Sequence, residues 1–429
     1  MTTTVTVPNG VDTIGGNVVA FETKTARVIM DFGINFAPAD SQPDDLLSNG
    51  ILPALPDLFT DIASDKQTAI FISHLHLDHM GALKYLTKLT PVYMTTESAT
   101  LYAELSRQDL ESAPNAQVQV IAPNKDVQIG DLTVRAFATD HDIMGAVMFE
   151  VTDGQHRFVH SGDVRYDGWH PERVTAWTQY LHEHRPDLFF IEGTEFSFYD
   201  DTSRQRRTES TVLTDFTNAM ASDELVVINP YERNVERLMK LSAAARQVNR
   251  KLVWDERFAG ILRAMGASNE IMLGQDVTVA DMQQQPGRYV LQNHFDNLHL
   301  LDAFDTFSYL HMNGEPLGDY DPRYADLTVY LAQRGVALQL AGASGHATPD
   351  DLLRIAVEVD AKMTVLGTHF TQNVRQKRYD KLASRLICRK KAKFLRLNSG
   401  FNFKSRQSPD LKSADWRLLN VFRKAEPLI

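Results

Sequence analysis

His74-Leu75-His76-Leu77-Asp78-His79-Met80-Gly81 follows directly on the apolar run Thr68-Ala69-Ile70-Phe71-Ile72. Three histidines and a carboxylate fall within six positions, in a chain that holds 14 His altogether. Neutral imidazoles and carboxylate oxygens are the ligands that hold a catalytic Zn²⁺ while leaving a position open to water. Alternate spacing puts His74 and His76 on one side of an extended loop, where both reach one ion. Asp78 and His79 then point toward a second ion a few Å away. The competing reading is a polar loop whose histidines merely face solvent. Four ligand-type residues in this order speak against it.

Moving outward, further ligand-type residues stand just past other strand-like runs. The alternating run Leu132–Ala138 leads into Thr139-Asp140-His141-Asp142, and Arg157–His160 leads into Ser161-Gly162-Asp163. Asp187–Ile191 ends on Glu192, Val336–Leu340 on Gly342-Ala343-Ser344-Gly345-His346, and Lys362–Leu366 on Gly367-Thr368-His369. Strand ends gather on the rim of a sheet, where a rigid scaffold carries chemistry on its loops, so the six clusters are expected on one rim. Taken singly, His141 or His369 would read as a hydrogen-bonded structural residue; the shared position makes a site. His74, His76 and His141 then supply a first zinc, and Asp78, His79 and His369 a second. Asp163 is placed to bridge both, and Mn²⁺ suits such a mixed set nearly as well as Zn²⁺. Asp31, in Ile29-Met30-Asp31-Phe32-Gly33, is expected to accept a hydrogen bond from an imidazole or from the 74–81 loop.

At 429 residues the chain has room for two or three domains. Its 43% hydrophobic and 23% charged content is that of a globular protein, which excludes low-complexity and fibrous classes. The opening Met1-Thr2-Thr3-Thr4-Val5-Thr6-Val7-Pro8 has no basic or apolar leader pattern, so no secretory signal is expected. No apolar run nears the ~20 residues that span a bilayer, so no membrane partner is expected either. A single cysteine, Cys388, rules out an internal disulfide and a thiolate zinc knuckle, and fits a cytoplasmic location. The net charge is −11, but from Thr371 onward 16 Lys and Arg stand against 4 Asp and Glu. That leaves 28 basic against 51 acidic residues, or −23, before Thr371. The basic end reads either as a strip that tracks a phosphate backbone or as a solvated face balancing an acidic body.

The pattern His-x-His-x-Asp-His, followed by a distant His, an Asp and a last His, resembles the metallo-β-lactamase fold. The last His stands 206 positions beyond Asp163, which implies a domain-sized insertion. That resembles the β-CASP branch of nucleases. Ile191-Glu192-Gly193-Thr194 is similar to its first motif, Ser344-Gly345-His346-Ala347 to its second and Gly367-Thr368-His369 to its third. Val159-His160-Ser161-Gly162-Asp163-Val164-Arg165 resembles the ribonuclease J family. The resemblance implies an α/β chain: an αββα sandwich, 1–198 and 341–429, interrupted by a β-CASP-like α/β domain, 199–340. It implies RNA as partner, since RNA-acting members carry His at the third motif. Two departures stand out: His369-Phe370-Thr371 where ribonuclease J reads His-Gly-Glu, and a length too short for that family's linker and C-terminal domain. A homo-oligomer remains open.

Inside the insert, Glu224–Ile228 and Lys251–Trp254 read as strands, each followed by a helical pattern, so a parallel sheet is expected. Arg233 and Arg237, between strand and helix, are placed to meet phosphates, or else pair on the surface with Glu232 and Glu236. Thr348-Pro349-Asp350-Asp351 is a helix start, with Thr as N-cap and Pro first. His346, with Ser344 and Gly345, therefore lies ahead of a helix N-terminus that favours an anion. The mechanism expected is metal-assisted phosphodiester hydrolysis: a two-zinc-activated hydroxide, with Asp78 at the metals, attacks phosphorus. His346 protonates the leaving oxygen, and Glu192 sets its tautomer and raises its pKa. The alternative is hydrolysis of a small-molecule ester, thioester or phosphodiester under a capping insert. A non-catalytic RNA-binding protein is a third reading, which the full ligand set disfavours.

Overall fold

A computed structural model describes residues 2–10, 15–34, 41–198, 206–222, 224–366 and 402–404. His369 and the basic side chains after Thr371 lie outside the described residues.

Two sheets form a sandwich. The first contains β1 (Thr4–Asn9), β2 (Val18–Glu22), β3 (Ala26–Met30), β4 (Gln67–Phe71), β5 (Thr90–Met94) and β6 (Ala116–Val120). The second contains β7 (Asp126–Ile129), β8 (Leu132–Ala138), β9 (Val147–Thr152), β10 (Arg157–His160) and β11 (Leu188–Ile191). A third sheet is drawn wholly from the later chain: β12 (Leu225–Pro230), β13 (Lys251–Trp254), β14 (Ile271–Met272), β15 (Tyr289–Gln292), β16 (Phe307–Met312) and β17 (Leu338–Leu340). The chain then returns, placing β18 (Thr364–Leu366) parallel to β11 and β19 (Asn402–Lys404) parallel to β1. Sheet orders are β19-β1-β2-β3-β4-β5-β6, β18-β11-β10-β9-β8-β7 and β14-β13-β15-β12-β16-β17.

Side-chain alternation explains the layering. In β2, β3 and β4, Val19, Phe21, Val28, Met30, Ala69 and Phe71 face the second sheet, where they meet Val134, Phe149, Phe158 and Phe190. Their neighbours Val18, Ala20, Ile29 and Ile70 face the other way, toward Leu101 and Leu105 of the helix Thr96–Arg107. Strands buried on both faces need near-continuous apolar text, which is why these runs were legible. The outer face of the second sheet, with Met148, Val159 and Phe189, is covered by Val174, Trp177 and Leu181 and by Leu352, Ile355 and Val359. Those residues belong to the helices Pro171–Glu183 and Pro349–Val359.

The third sheet is parallel throughout, as the strand–helix alternation of its sequence predicts. Its helix Glu256–Ala264 packs Phe258, Ala259 and Leu262 into the same core as Leu101 and Leu105. One expectation needs correction. The six clusters do not share one sheet rim, because β17 is the edge strand of the third sheet rather than part of the sandwich. The 341–346 loop leaves the third sheet and reaches the sandwich from outside. Among the described residues no helix is long and apolar enough to cross a membrane.

Candidate metal centre

The 74–81 loop leaves β4 at Ser73 and closes with the short helix Leu77–Met80. Its seat is the end of β3. Asp31 adopts a left-handed backbone, φ 59°, and Phe32 N donates to His79 O at 2.7 Å. A Cβ on Gly33 would stand 1.6 Å from Asp78 O, so only glycine lets the two backbones meet. Asp31-Phe32-Gly33 is thus the cradle of the histidine loop.

Three ring nitrogens and a carboxylate converge above it. His74 Nε2 lies 3.1 Å from His76 Nδ1, His141 Nε2 lies 3.2 Å from the same atom, and Asp163 Oδ2 stands 3.6 Å from His74 Nε2. Four donors around one ion at zinc distances stand roughly 3.4 Å apart, so this set fits a cation. On its other side Asp163 Oδ2 is 3.2 Å from His79 Nε2, which is 3.5 Å from Asp78 Oδ2. A third group joins Asp163 to Glu192 and His346. Asp163 belongs to all three groups, held there by the turn at Gly162, φ 56°.

The nitrogens remote from the cluster decide the tautomers. His79 Nδ1 donates to Asp31 Oδ2 at 2.8 Å and His141 Nδ1 donates to Gly345 O at 2.6 Å. Ser73 Oγ donates to Asp31 Oδ2 at 2.9 Å, which leaves that hydroxyl to accept from His74 Nδ1, also at 2.9 Å. Each Nε2 is therefore left with a lone pair facing the cluster, the arrangement a metal site requires. Asp31 also accepts from Ser73 N at 2.7 Å and His160 Nε2 at 2.8 Å.

Electrostatics follow from burial. Burial would raise the Asp31 carboxyl, but the His79 and His160 imidazoles outweigh it and hold the group at about 2. Burial carries His74 well below the ordinary imidazole value and His141 down to about 3. At His79 burial is overcome by the Asp163, Asp78 and Asp31 carboxylates, which raise it. Asp163 is held well below the carboxylate range against its burial, by His79 and His346 above all. His346 Nδ1 lies 2.9 Å from Glu192 Oε2 and 3.7 Å from Asp163 Oδ2. Those two carboxylates outweigh burial and take the imidazole up to about 10. Its side chain keeps 22% exposure, enough to meet a substrate. Just beyond it, Thr348 caps the helix Pro349–Val359 by accepting from Asp351 N at 2.9 Å.

Two expected substrate contacts are not where the sequence suggested. Arg233 is buried, donating to Leu75 O at 2.7 Å and to Glu111. Arg237 is fully buried, and Glu209 receives its Nη2 at 2.7 Å and its Nε at 2.9 Å. Neither is a surface cation, and neither pairs with Glu232 or Glu236. Their guanidiniums are used up in joining the third sheet to the histidine loop and to the start of the helix Glu209–Ala219. Ser344 Oγ donates to Glu195 Oε1 at 2.8 Å and Gly345 O receives His141, so both support the loop that carries His346.

Several residues at the site were not singled out in the sequence. Asn17 Nδ2 lies 3.0 Å from His79 Nε2 and 3.5 Å from Asp78 Oδ2. Arg165, 1% exposed, donates to Glu209 at 2.8 Å, to Ser344 O at 3.3 Å and to His141 O at 3.1 Å. Arg206 donates to Asp167 at 2.9 Å and to His346 O at 3.0 Å and keeps 31% exposure. Asp142 lies against two imidazoles. Its position next to His141 was the only sequence signal for it.

Comparison with known proteins agrees with this geometry. The model of the beta-lactamase superfamily domain matches residues 43–207. Ribonuclease J of Mycolicibacterium smegmatis is 25% identical over 272 residues, 62% of this chain and 46% of that protein. Ribonuclease J of Mycoplasma genitalium is 28% identical over 37% of this chain and 27% of its own length. The chain thus matches less than half the length of these relatives. A crystal structure of a protein of unknown function from Enterococcus faecalis V583 superposes with a TM-score of 0.76 at 25% identity, covering 87% of this chain and 95% of that one. The chain has the metallo-β-lactamase fold and is similar, over part of its length, to ribonuclease J.

Proposed function

We propose that this protein is a metal-dependent phosphodiester hydrolase that cleaves RNA. One observation carries the reading: Asp163 Oδ2 lies within 3.7 Å of His74, His79 and His346 at once. A ligand set for cations and a proton donor thus share one carboxylate, the arrangement hydrolysis of a phosphodiester needs. A bound pair of cations, Zn²⁺ or Mn²⁺, supplies Lewis acidity that lowers the pKa of water and offsets phosphoryl charge. His74, His76 and His141 hold one side of that centre. Asp78, His79 and His369 hold the other, and Asp163 is shared. Asp31 keeps the 74–81 loop and its tautomers in place. His346, kept protonated by Glu192, gives its proton to the leaving oxygen. Ser344 and Gly345 hold the loop beneath it, and the capped helix start beside it offers N–H groups to a phosphate.

In this reading residues 199–340 form a β-CASP-like domain, one wall of the substrate cleft, set into a sandwich made of 1–198 and 341–429. The relatives' name, Ribonuclease J, supports RNA as the substrate, and the single cysteine, Cys388, fits a cytoplasmic place. The test is hydrolysis of an end-labelled RNA by wild type, His76→Ala and His346→Ala. The His346 variant should lose about 10²–10⁴ in rate and the His76 variant at least as much. Rates equal to wild type in both would remove the model.

A second reading is favoured by the burial of Arg233 and Arg237 and by the charge of −23 before Thr371. It is hydrolysis of a small-molecule ester, thioester or phosphodiester. Salt separates the two: affinity for a tracked polyphosphate falls steeply with ionic strength, and affinity for a small substrate does not.

A further inference from the structure

β12 and β16 are neighbours in the third sheet, yet they send the chain to opposite faces of it. After β12 the helix Val235–Gln247 packs Leu238 and Leu241 into the core that holds Val226 and Ile228. After β16 the helix Pro322–Gln333 packs Leu327 and Leu331 into the core that holds Leu225 and Val227. In an open parallel sheet such a divergence leaves a crevice beyond the carboxyl ends of the two strands, and ligands settle there. Here that end of the sheet is turned toward the histidine loop. Arg233, past β12, donates to Leu75 O, and Asn313, just past β16, donates to Ala343 O at 3.2 Å on the loop that carries His346.

The first side chain beyond β12 is Tyr231. Its ring is half-buried and lies 5.6 Å from that of His76, centroid to centroid, at a tilt of 35°. Asp142 and Asp78 stand close enough for their charges to act on its phenol. Its hydroxyl nonetheless has no hydrogen-bond partner among the described residues, and it is not enclosed. A phenol keeps its proton at neutral pH, so this O–H is a donor without an acceptor. The segment around it is pinned on both sides. Asn229 donates to Glu315 O at 3.1 Å, Arg233 is tied to Leu75 and Glu111, and Asn234 caps the next helix. A donor fixed in this way costs no reordering when negative charge develops opposite it.

We propose that Tyr231 donates a hydrogen bond from its hydroxyl to a non-bridging oxygen of the scissile phosphodiester. His346 then serves the oxygen that leaves, and Tyr231 serves an oxygen that stays on phosphorus. The inference rests on the reading of this centre as a phosphodiester hydrolase.

The test uses the full chain loaded with Zn²⁺ and compares wild type with Tyr231→Phe, which keeps the ring and removes the donor. Folding is checked by circular dichroism, and Tyr231→Leu takes its place should the Phe variant misfold. Hydrolysis of an oligoadenylate and of an oligouridylate gives kcat and KM, and calorimetry gives Zn²⁺ affinity. Loss of the donor should lower kcat about 10²-fold, equally on both RNAs, with KM and Zn²⁺ affinity as in wild type. An unchanged kcat overturns the proposal and leaves the ring as a prop for His76. A loss confined to one RNA means that the hydroxyl meets a base, and a matching fall in Zn²⁺ affinity means that it acts through His76; either result overturns it as well. A wild type that hydrolyses neither RNA overturns the hydrolase reading and this inference with it.

Discussion

His141 Nδ1 stands 2.6 Å from the carbonyl oxygen of Gly345, 204 positions further along the chain. This bond joins an imidazole of the His74–His76–His141 cluster to the loop that brings His346 in from the third sheet. The histidine cluster and His346 are therefore positioned by one another.

Gly345→Ala tests that closeness. An added Cβ would lie 2.7 Å from His141 Cε1 and 2.9 Å from Asp142 Cγ, so the loop or the imidazole must give way. Cation affinity should fall about 10–100-fold, the usual cost of disturbing a ligand's outer hydrogen bond, while the protein stays folded. Calorimetric titration checks this, and an unchanged affinity contradicts it.

The Glu192–His346 pair predicts a pH profile. With its imidazole raised to about 10, His346 is protonated at neutral pH, and kcat should fall only as pH rises through that value. Glu192→Gln removes the nearest charge favouring the protonated ring. The alkaline limb of kcat against pH should then move down toward the ordinary imidazole value of 6.5. A limb that stays put would show that another group donates the proton.

Asp31 couples the loop to acid stability. Its value of about 2 lies below the ordinary 3.8, so its contribution is fully present above 3.8 and is lost as pH falls through 2. Metal-free Asp31→Asn should be less stable than wild type by roughly 2 kcal/mol at pH 6. Its stability should also decline less steeply between pH 4 and pH 2. Denaturant melts at several pH values read both effects.

Glu209 receives Arg165 Nη1 at 2.8 Å and Arg237 Nη2 at 2.7 Å, with all three side chains shielded from water. Glu209→Ala strands two buried guanidiniums and should cost roughly 3–5 kcal/mol of stability. A loss under 1 kcal/mol in chemical denaturation would mean that water or a carbonyl compensates.

The sequence carried the sandwich well because β3, β4, β10 and β11 are buried on both faces and must be written in apolar residues. The strand–helix alternation from Glu224 onward likewise announced the parallel third sheet. What it hid were partners distant in the chain. Arg233 finds Glu111 at a separation of 122 residues and Arg165 finds Glu209 at 44, so burial of these cations was invisible where Glu232 and Glu236 stood close by. Asp142 was hidden for the opposite reason. Its neighbour His141 drew the reading of that cluster, and only the structure puts the Asp142 oxygen against two imidazoles.

The most direct test of the central claim is anomalous diffraction from crystals of the full chain grown with Zn²⁺ or Mn²⁺. Two peaks about 3.5–4 Å apart should flank Asp163, one within reach of His74, His76 and His141 and the other within reach of Asp78, His79 and His369. No peak, or a single ion that does not touch Asp163, would contradict the account.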